Sequence, residues 1–308
     1  MMYNRRTDDF MLNNSIATTS SSALVQKPFT DEDTQFIIPV HLEAENTSWL
    51  LIFVFIAAFG VLANMTTIGY ILHVKHFHYP TYMVIGALAI ADIVSLFQYL
   101  CHLILAKTNK NFVDNNSDII MTTIYITAHA SASHVLLLLG QQYYLIAVPL
   151  RLVTIRKRYV LTLSILMWIS SVMFGVIYYS ARFHVAKTKI AIVVLIFRGY
   201  LVLVPCIFML AFHVAKIYKL RTSISRFRTS QYVRRMSAMI LMIMAIYIFS
   251  AIIFPITFSL NFFKVLSERE SKVIQIFGRV VWLFNLSVNP IIYFLYNPQV
   301  RRHMHELW

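Results

Sequence analysis

Asp92 is the only carboxylate inside an apolar run of this sequence, and an isolated carboxylate is among the costliest groups to place in a nonpolar medium. Counted from Pro80 at 1.5 Å per residue, it lies about 18 Å into its segment. Asn64, Ser131, Asn285 and Asn289 fall at comparable depths by the same count, so five polar groups from four segments can meet near the middle. Polar groups placed so deep are functional candidates by default. The plainer alternative is that they hydrogen-bond helices together, at about 0.6–2 kcal/mol each. Two cations, Arg198 and Arg279, also sit far along apolar runs. A guanidinium grips a carboxylate or phosphate through paired hydrogen bonds. Each arginine could instead snorkel to headgroups or pair with Asp114, Asp118, Glu268 or Glu270. His129 and His134 are five residues apart, which turns them about 140° from each other on a helix. That spacing favours packing over a shared metal. Asp92 has no partner carboxylate in a span, no His-Glu-x-x-His run exists and no Ser/His/Asp set shares a depth, so no catalytic centre is expected and a transporter gains little support.

These residues need elements that hold them in lipid. The chain has 308 residues, of which 58% are hydrophobic and 13% charged, and its mean hydropathy is +0.66. A soluble domain of ordinary composition does not show this. Seven apolar stretches run through about 49–72, 80–105, 119–148, 160–180, 190–218, 236–262 and 273–295. About 20 apolar residues suffice for a helix to cross the hydrocarbon. The expected fold is therefore an all-α membrane protein, a bundle of seven transmembrane helices over 49–296. Residues 1–48 are polar and lack the apolar core of a cleavable signal peptide, so they read as a disordered tail. Residues 297–308 place Val300, Met304, Leu307 and Trp308 at helical spacing around Arg301 and Arg302, the pattern of a short amphipathic helix lying in the interface.

The net charge of +14 is confined to loops between apolar runs, which argues against nucleic-acid binding. The first, third and fifth loops and the C-terminus hold Lys75, Arg151, Arg156, Lys157, Arg158, Lys216, Lys219, Arg221, Arg226, Arg228, Arg234, Arg235, Arg301 and Arg302, against the single acid Glu306. Short loops rich in Lys and Arg stay in the cytoplasm. The N-terminus is expected outside and the C-terminus inside, in the plasma membrane, with sequons for glycosylation at Asn13, Asn46 and Asn115 on the outer side. The inner cations could also attract membrane lipid headgroups. Cys101 and Cys206 lie in apolar runs and suggest neither a disulfide framework nor a zinc site.

Several segments carry an ordered set of motifs. Asn64 closes a Gly-Val-Leu-Ala-Asn stretch in the first, and Leu88-Ala89-Ile90-Ala91-Asp92 occupies the second. Trp168 lies in the fourth, Pro205 in the fifth, and Phe249 with Pro255 in the sixth. The seventh ends in Asn289-Pro290-Ile291-Ile292-Tyr293, followed by Tyr296-Asn297-Pro298. In this order and at these depths, residues 49–308 resemble the rhodopsin-like G-protein-coupled receptors. The resemblance implies a receptor that binds an extracellular ligand and signals to a heterotrimeric G protein by movement of its cytoplasmic helix ends. It also implies an allosteric sodium ion held by Asp92, Ser131, Asn285 and Asn289, the alternative being a neutral, hydrogen-bonded Asp92. It places Arg198 and Arg279 at the level of the ligand pocket, where they would hold a ligand of negative charge. Proline at 290 frees a backbone carbonyl and loosens its helix where such a receptor moves.

The pattern also departs from that family. Gln141-Gln142-Tyr143 stands where an acid, an arginine and a tyrosine are usual, and glutamine has neither the cation nor the forked donors. His213 replaces a fifth-helix tyrosine of the same network, and Arg235 stands where some members carry an acid, so no salt-bridge lock forms between Gln142 and Arg235. The sixth helix reads Ile252-Ile253-Phe254-Pro255 without its tryptophan, leaving Phe254 or Phe249 to sense a ligand. Ser117 occupies the position of a disulfide cysteine, and the loop at about 181–189 is short. Leu283 at the retinal-linking position excludes an opsin, and Ile124 in place of the amine-binding aspartate argues against an amine receptor. The expected coupling is weak or altered. The competing expectation is a receptor-like scavenger or heteromer partner without G-protein coupling.

Overall fold

The computed structural model describes residues 47–74, 80–147, 157–186, 189–223, 231–262, 265 and 267–296. The described residues form an all-helical membrane bundle: α1 Thr47–His73, α2 Pro80–Thr108, the short α3 Lys110–Asn115, α4 Ser117–Ala147, α5 Lys157–His184, α6 Ile190–Ser223, α7 Gln231–Phe262 and α8 Glu268–Tyr296. Six helices among the described residues are long and apolar enough to cross a membrane, and α7 contributes a shorter apolar stretch, Ser237–Ile253. Every backbone amide inside lipid needs a partner, and a helix supplies one within its own segment. That is why the apolar runs become helices. The sequons at Asn13 and Asn46, the inner-loop cations from Arg151 to Arg156, and the amphipathic segment 297–308 lie outside the described residues.

The helices outrun their apolar stretches. Helix α5 continues to His184, so Ala181–His184, expected in a loop, are helical. Hydropathy marks the hydrocarbon, whereas a helix extends until its terminal groups find polar partners. Helix α8 shows such a start: Ser267 and Glu270 form a capping box, in which the Ser267 amide donates to Glu270 Oε2 at 2.9 Å and its hydroxyl to the same oxygen at 2.7 Å. Asn109 caps α3 by accepting from the Phe112 amide at 3.0 Å.

Helix α4 is the axis of the bundle, packed on α2, α5, α6 and α7, while α8 closes the ring between α7 and α1. Two glycines permit the closest approaches. A Cβ at Gly175 would collide with Ile126 of α4, and one at Gly60 with Ser287 of α8 and, at 2.8 Å, with Leu96 of α2. Small residues let helix backbones approach in a medium that offers no hydrophobic drive between them. At the Tyr143 end a continuous apolar cluster including Leu88, Leu138, Leu139, Met239, Ile240, Ile243, Ile292 and Tyr293 holds α2, α4, α7 and α8 together. The outward faces are apolar too. Helix α5 exposes Leu161, Ile165, Ile169, Val172 and Val176, as expected of a lipid-facing helix.

His129 and His134 both engage α5, His129 Nδ1 against Ser171 Oγ at 2.9 Å and His134 Nε2 against Ser164 Oγ at 2.9 Å. Ser164 and Ser171 are two turns apart on one face of α5, so one helix satisfies both imidazoles despite their angular separation. Helices α4 and α5 also meet at one end, where Asp118 forms an ion pair with Arg182 Nε. Arg182 in turn donates from Nη1 to the Tyr178 hydroxyl at 3.3 Å.

Candidate ligand cavity and buried polar cluster

The polar residues in mid-bundle separate into two sets. Asp92, fully buried, accepts from Ser131 Oγ at 2.9 Å and from Asn289 Nδ2 at 2.8 Å. These bonds join α2, α4 and α8 at one point. Asn64 does not join them. Its Nδ2 donates to the Gly60 carbonyl at 2.9 Å and to the Leu286 carbonyl at 3.0 Å, tying α1 to α8 through the backbone. Asn285 lies on the wall of a neighbouring cavity instead. Five residues at one depth do not make one site, because rotation about each helix axis decides which of them face each other.

The oxygen set around Asp92 fits a hard monovalent cation. Asn289 Oδ1 is buried without a hydrogen-bond partner and belongs to the amide that donates to Asp92. Together with the carboxylate and Ser131 Oγ it offers the uncharged and anionic oxygens that such ions take. The Tyr293 hydroxyl and Asn64 Oδ1 are likewise buried without partners.

Beside the cluster, toward the Asp118 end, is a cavity of about 170 Å³ walled by α2, α4, α6, α7 and α8. Its wall is laid out at helical spacing. On α2 the lining residues Ser95, Tyr99 and His102 follow Asp92 at three, seven and ten positions; on α4 Met121, Ile124 and Ala128 precede Ser131 at ten, seven and three; on α8 Arg279, Trp282 and Leu286 precede Asn289 in the same way. Three stripes therefore run down three helices and end on the three members of the Asp92 cluster. Ser131 belongs to both sites, since it lines the cavity and donates to Asp92.

Arg198 and Arg279, 8% and 9% exposed, both line this cavity. Both stand on the wall of one cavity, inside α6 and α8, and neither is a solvent-facing loop residue. Arg198 interacts electrostatically with the hydroxyls of Tyr125 and Tyr178, and Tyr178 in turn bonds Arg182. The aromatic wall is ordered by ring contacts: Tyr125 against Tyr178 at 4.2 Å and Tyr99 edge-on to Trp282 at 5.7 Å. Among the described residues no Asp or Glu lines the cavity.

Other candidates fall elsewhere. Phe249 is 58% exposed on the outer face of α7, so it does not sense the cavity; Tyr247 and Ser250 of the same helix line it. The side chains of Phe254 and Pro255 are outside the described set. Gln142 is buried at the Tyr143 end while Arg235 is exposed. Phe212, next to His213, packs 6.2 Å from the ring of Tyr143, which places the ends of α4 and α6 at one level. Lys216, one turn beyond His213, is buried there. Pro290 lies within α8 and Asn115 is exposed at the end of α3.

Tyr99, His102, Tyr125, Tyr247 and Trp282 were not singled out from sequence. Their spacing from Asp92, Ser131 and Asn289 was the available signal for those on α2 and α8. No protein-family model matches the chain, and no curated protein matches it. What the fold and these sites define is a multi-pass helical membrane protein with a cation-lined cavity next to a buried carboxylate.

Proposed function

We propose that this protein is a seven-helix receptor of the rhodopsin-like kind, with its N-terminus outside the plasma membrane, that takes an anionic ligand between Arg198 and Arg279. The observation that carries the reading is the cavity lined by both guanidiniums and by no carboxylate among the described residues. A ligand there reaches the floor residue Ser131, which holds Asp92. A shift of that hydroxyl changes the hydrogen bonding of the carboxylate that links α2 to α8 through Asn289. The far end of α8 carries Pro290, where the helix lacks a backbone hydrogen bond and bends most readily. Parting of the apolar cluster around Tyr293 would then expose the Tyr143 end to a cytoplasmic partner.

In this reading Asp92, Ser131 and Asn289 would hold an allosteric sodium ion. The ion supplies a counter-charge to a carboxylate that otherwise has only neutral donors. Asn285 serves the cavity wall rather than the ion.

The partner at the cytoplasmic end is a heterotrimeric G protein engaged without an arginine at position 142. A receptor-like scavenger is the second reading, favoured by the buried, uncharged Gln142 and the exposed Arg235. Second-messenger levels measured on overexpression, with Gln142→Arg in parallel, separate the two. Basal or ligand-driven signalling in the unaltered protein supports coupling; silence in both proteins, with internalisation of bound ligand, supports the scavenger.

A further inference from the structure

The size and lining of the cavity limit what it can take. At about 170 Å³, it is little larger than an apolar protein cavity of about 150 Å³ that accepts benzene, and below the roughly 300 Å³ at which pockets for drug-sized ligands begin. A peptide or a long acyl chain is not enclosed by such a volume; a molecule of roughly ten to a dozen non-hydrogen atoms is.

The walls narrow the chemistry further. Tyr99, Tyr125, Tyr247 and Trp282 present rings from four different helices, and Met121, Ile124 and Leu201 fill between them. Aromatic rings prefer edge-to-face or offset contact with one another, so this wall suits a flat apolar body. Arg198 on α6 and Arg279 on α8 stand on separate walls and supply forked donors that match a carboxylate. Ser95, Ser131, Ser250 and Asn285 are neutral and set no charge against a ligand's ammonium.

We infer that the ligand is a compact aromatic carboxylate, with its ring among Tyr99, Tyr125 and Trp282 and its charge at Arg198 or Arg279. This rests on the cavity being the receptor's ligand site and adds the ligand's class. A peptide, a lipid and an amine are excluded together. The first two exceed the enclosed volume, and the third meets two arginines and no acid among the described lining residues.

The test uses the purified full-length protein in detergent and reads the shift of its melting temperature, since a ligand that binds only the folded state raises apparent stability. The probes are phenylacetate, 3-phenylpropionate and indole-3-acetate, with phenylacetamide, phenethylamine and dodecanoate as comparisons. At least one aromatic acid is expected to bind tenfold or more tightly than its neutral amide, with the amine and the long-chain acid without effect. Arg198→Gln or Arg279→Gln should reduce that affinity tenfold or more, read as the ligand-induced shift from each variant's own ligand-free melting temperature. Should either variant fail to fold, the comparison of acid with amide on the unaltered protein still decides. Equal binding of acid and amide, tighter binding of the amine or of dodecanoate, or no binding by any aromatic acid at millimolar concentration would each overturn the inference. Binding of the acid with neither signalling nor uptake in cells leaves the ligand class standing and removes the receptor reading instead.

Discussion

Asp118, in the first turn of α4, is paired with Arg182 in the last turn of α5. Arg182 is 8% exposed and Asp118 51%, so water screens one partner and leaves the other largely dry. The arginine also bonds Tyr178, whose ring packs on Tyr125 in the cavity wall. An ion pair thus joins the tops of two helices and braces the cavity from outside.

Arg182→Ala and Asp118→Ala are each expected to destabilise the protein by about 1 kcal/mol, the upper range for a partly exposed pair. The double variant should cost little more than the larger single change, because the two share one interaction. Melting curves on the three variants measure this. A reducing agent should leave the midpoint unchanged, since Cys101 and Cys206 are both free thiols. Additive losses would show that the two side chains act separately.

Gly60→Ala and Gly175→Ala are expected to destabilise by about 1–3 kcal/mol each, the usual cost of overpacking a tight contact. The added methyl meets Ser287 and Leu96 in the first case and Ile126 in the second. Gly69→Ala, where a Cβ meets nothing within 4 Å, is the control and should hold or raise stability. Thermal unfolding in one detergent ranks the three.

Replacing sodium by a large organic cation is expected to lower the melting temperature of the unaltered protein and to leave Asp92→Asn indifferent. Asp92 is fully buried against two neutral donors, so a bound cation offsets the cost of its charge. Equal melting temperatures in the two salts would show a neutral Asp92 held by hydrogen bonds alone.

Gln142→Ala is expected to leave ligand-driven signalling within about threefold of the unaltered protein, a change of under 1 kcal/mol. Glutamine lacks the fixed charge through which an arginine would act at that place. Dose-response curves of second messenger provide the measurement. Loss of a robust response would show that the glutamine itself makes the contact.

An epitope at residue 1 is expected to be labelled on intact cells and one after Trp308 only after permeabilisation. The excess of Lys and Arg on the odd loops and C-terminus motivates this. Glycosidase should shift the gel mobility through glycan at Asn13. Labelling of the C-terminal epitope on intact cells would overturn the orientation and the function that depends on it.

The helices were legible in the sequence because lipid forces each apolar run to satisfy its own backbone. Depth was legible as well: Asp92, Ser131 and Asn289 were placed at one level by counting residues, and they do meet. Arg198 and Arg279 stood out as cations in apolar runs, and both reach the same cavity. A residue count along one helix carries this kind of information because the rise per residue is constant.

Facing directions were decided only by tertiary structure. Asn64 and Asn285 share the depth of Asp92 yet turn to the α8 backbone and to the cavity wall, and Phe249 faces outward where Tyr247 and Ser250 face in. In a soluble helix a polar stripe marks the outside, and the rotation can be read from the pattern. Here the outer faces are as apolar as the inner ones, as Leu161, Ile165 and Val172 on α5 show. The rotation of each helix is set by its long-range contacts, such as Gly175 against Ile126 and Asp118 against Arg182; spacing within a helix shows which residues share a face, not which neighbour that face meets.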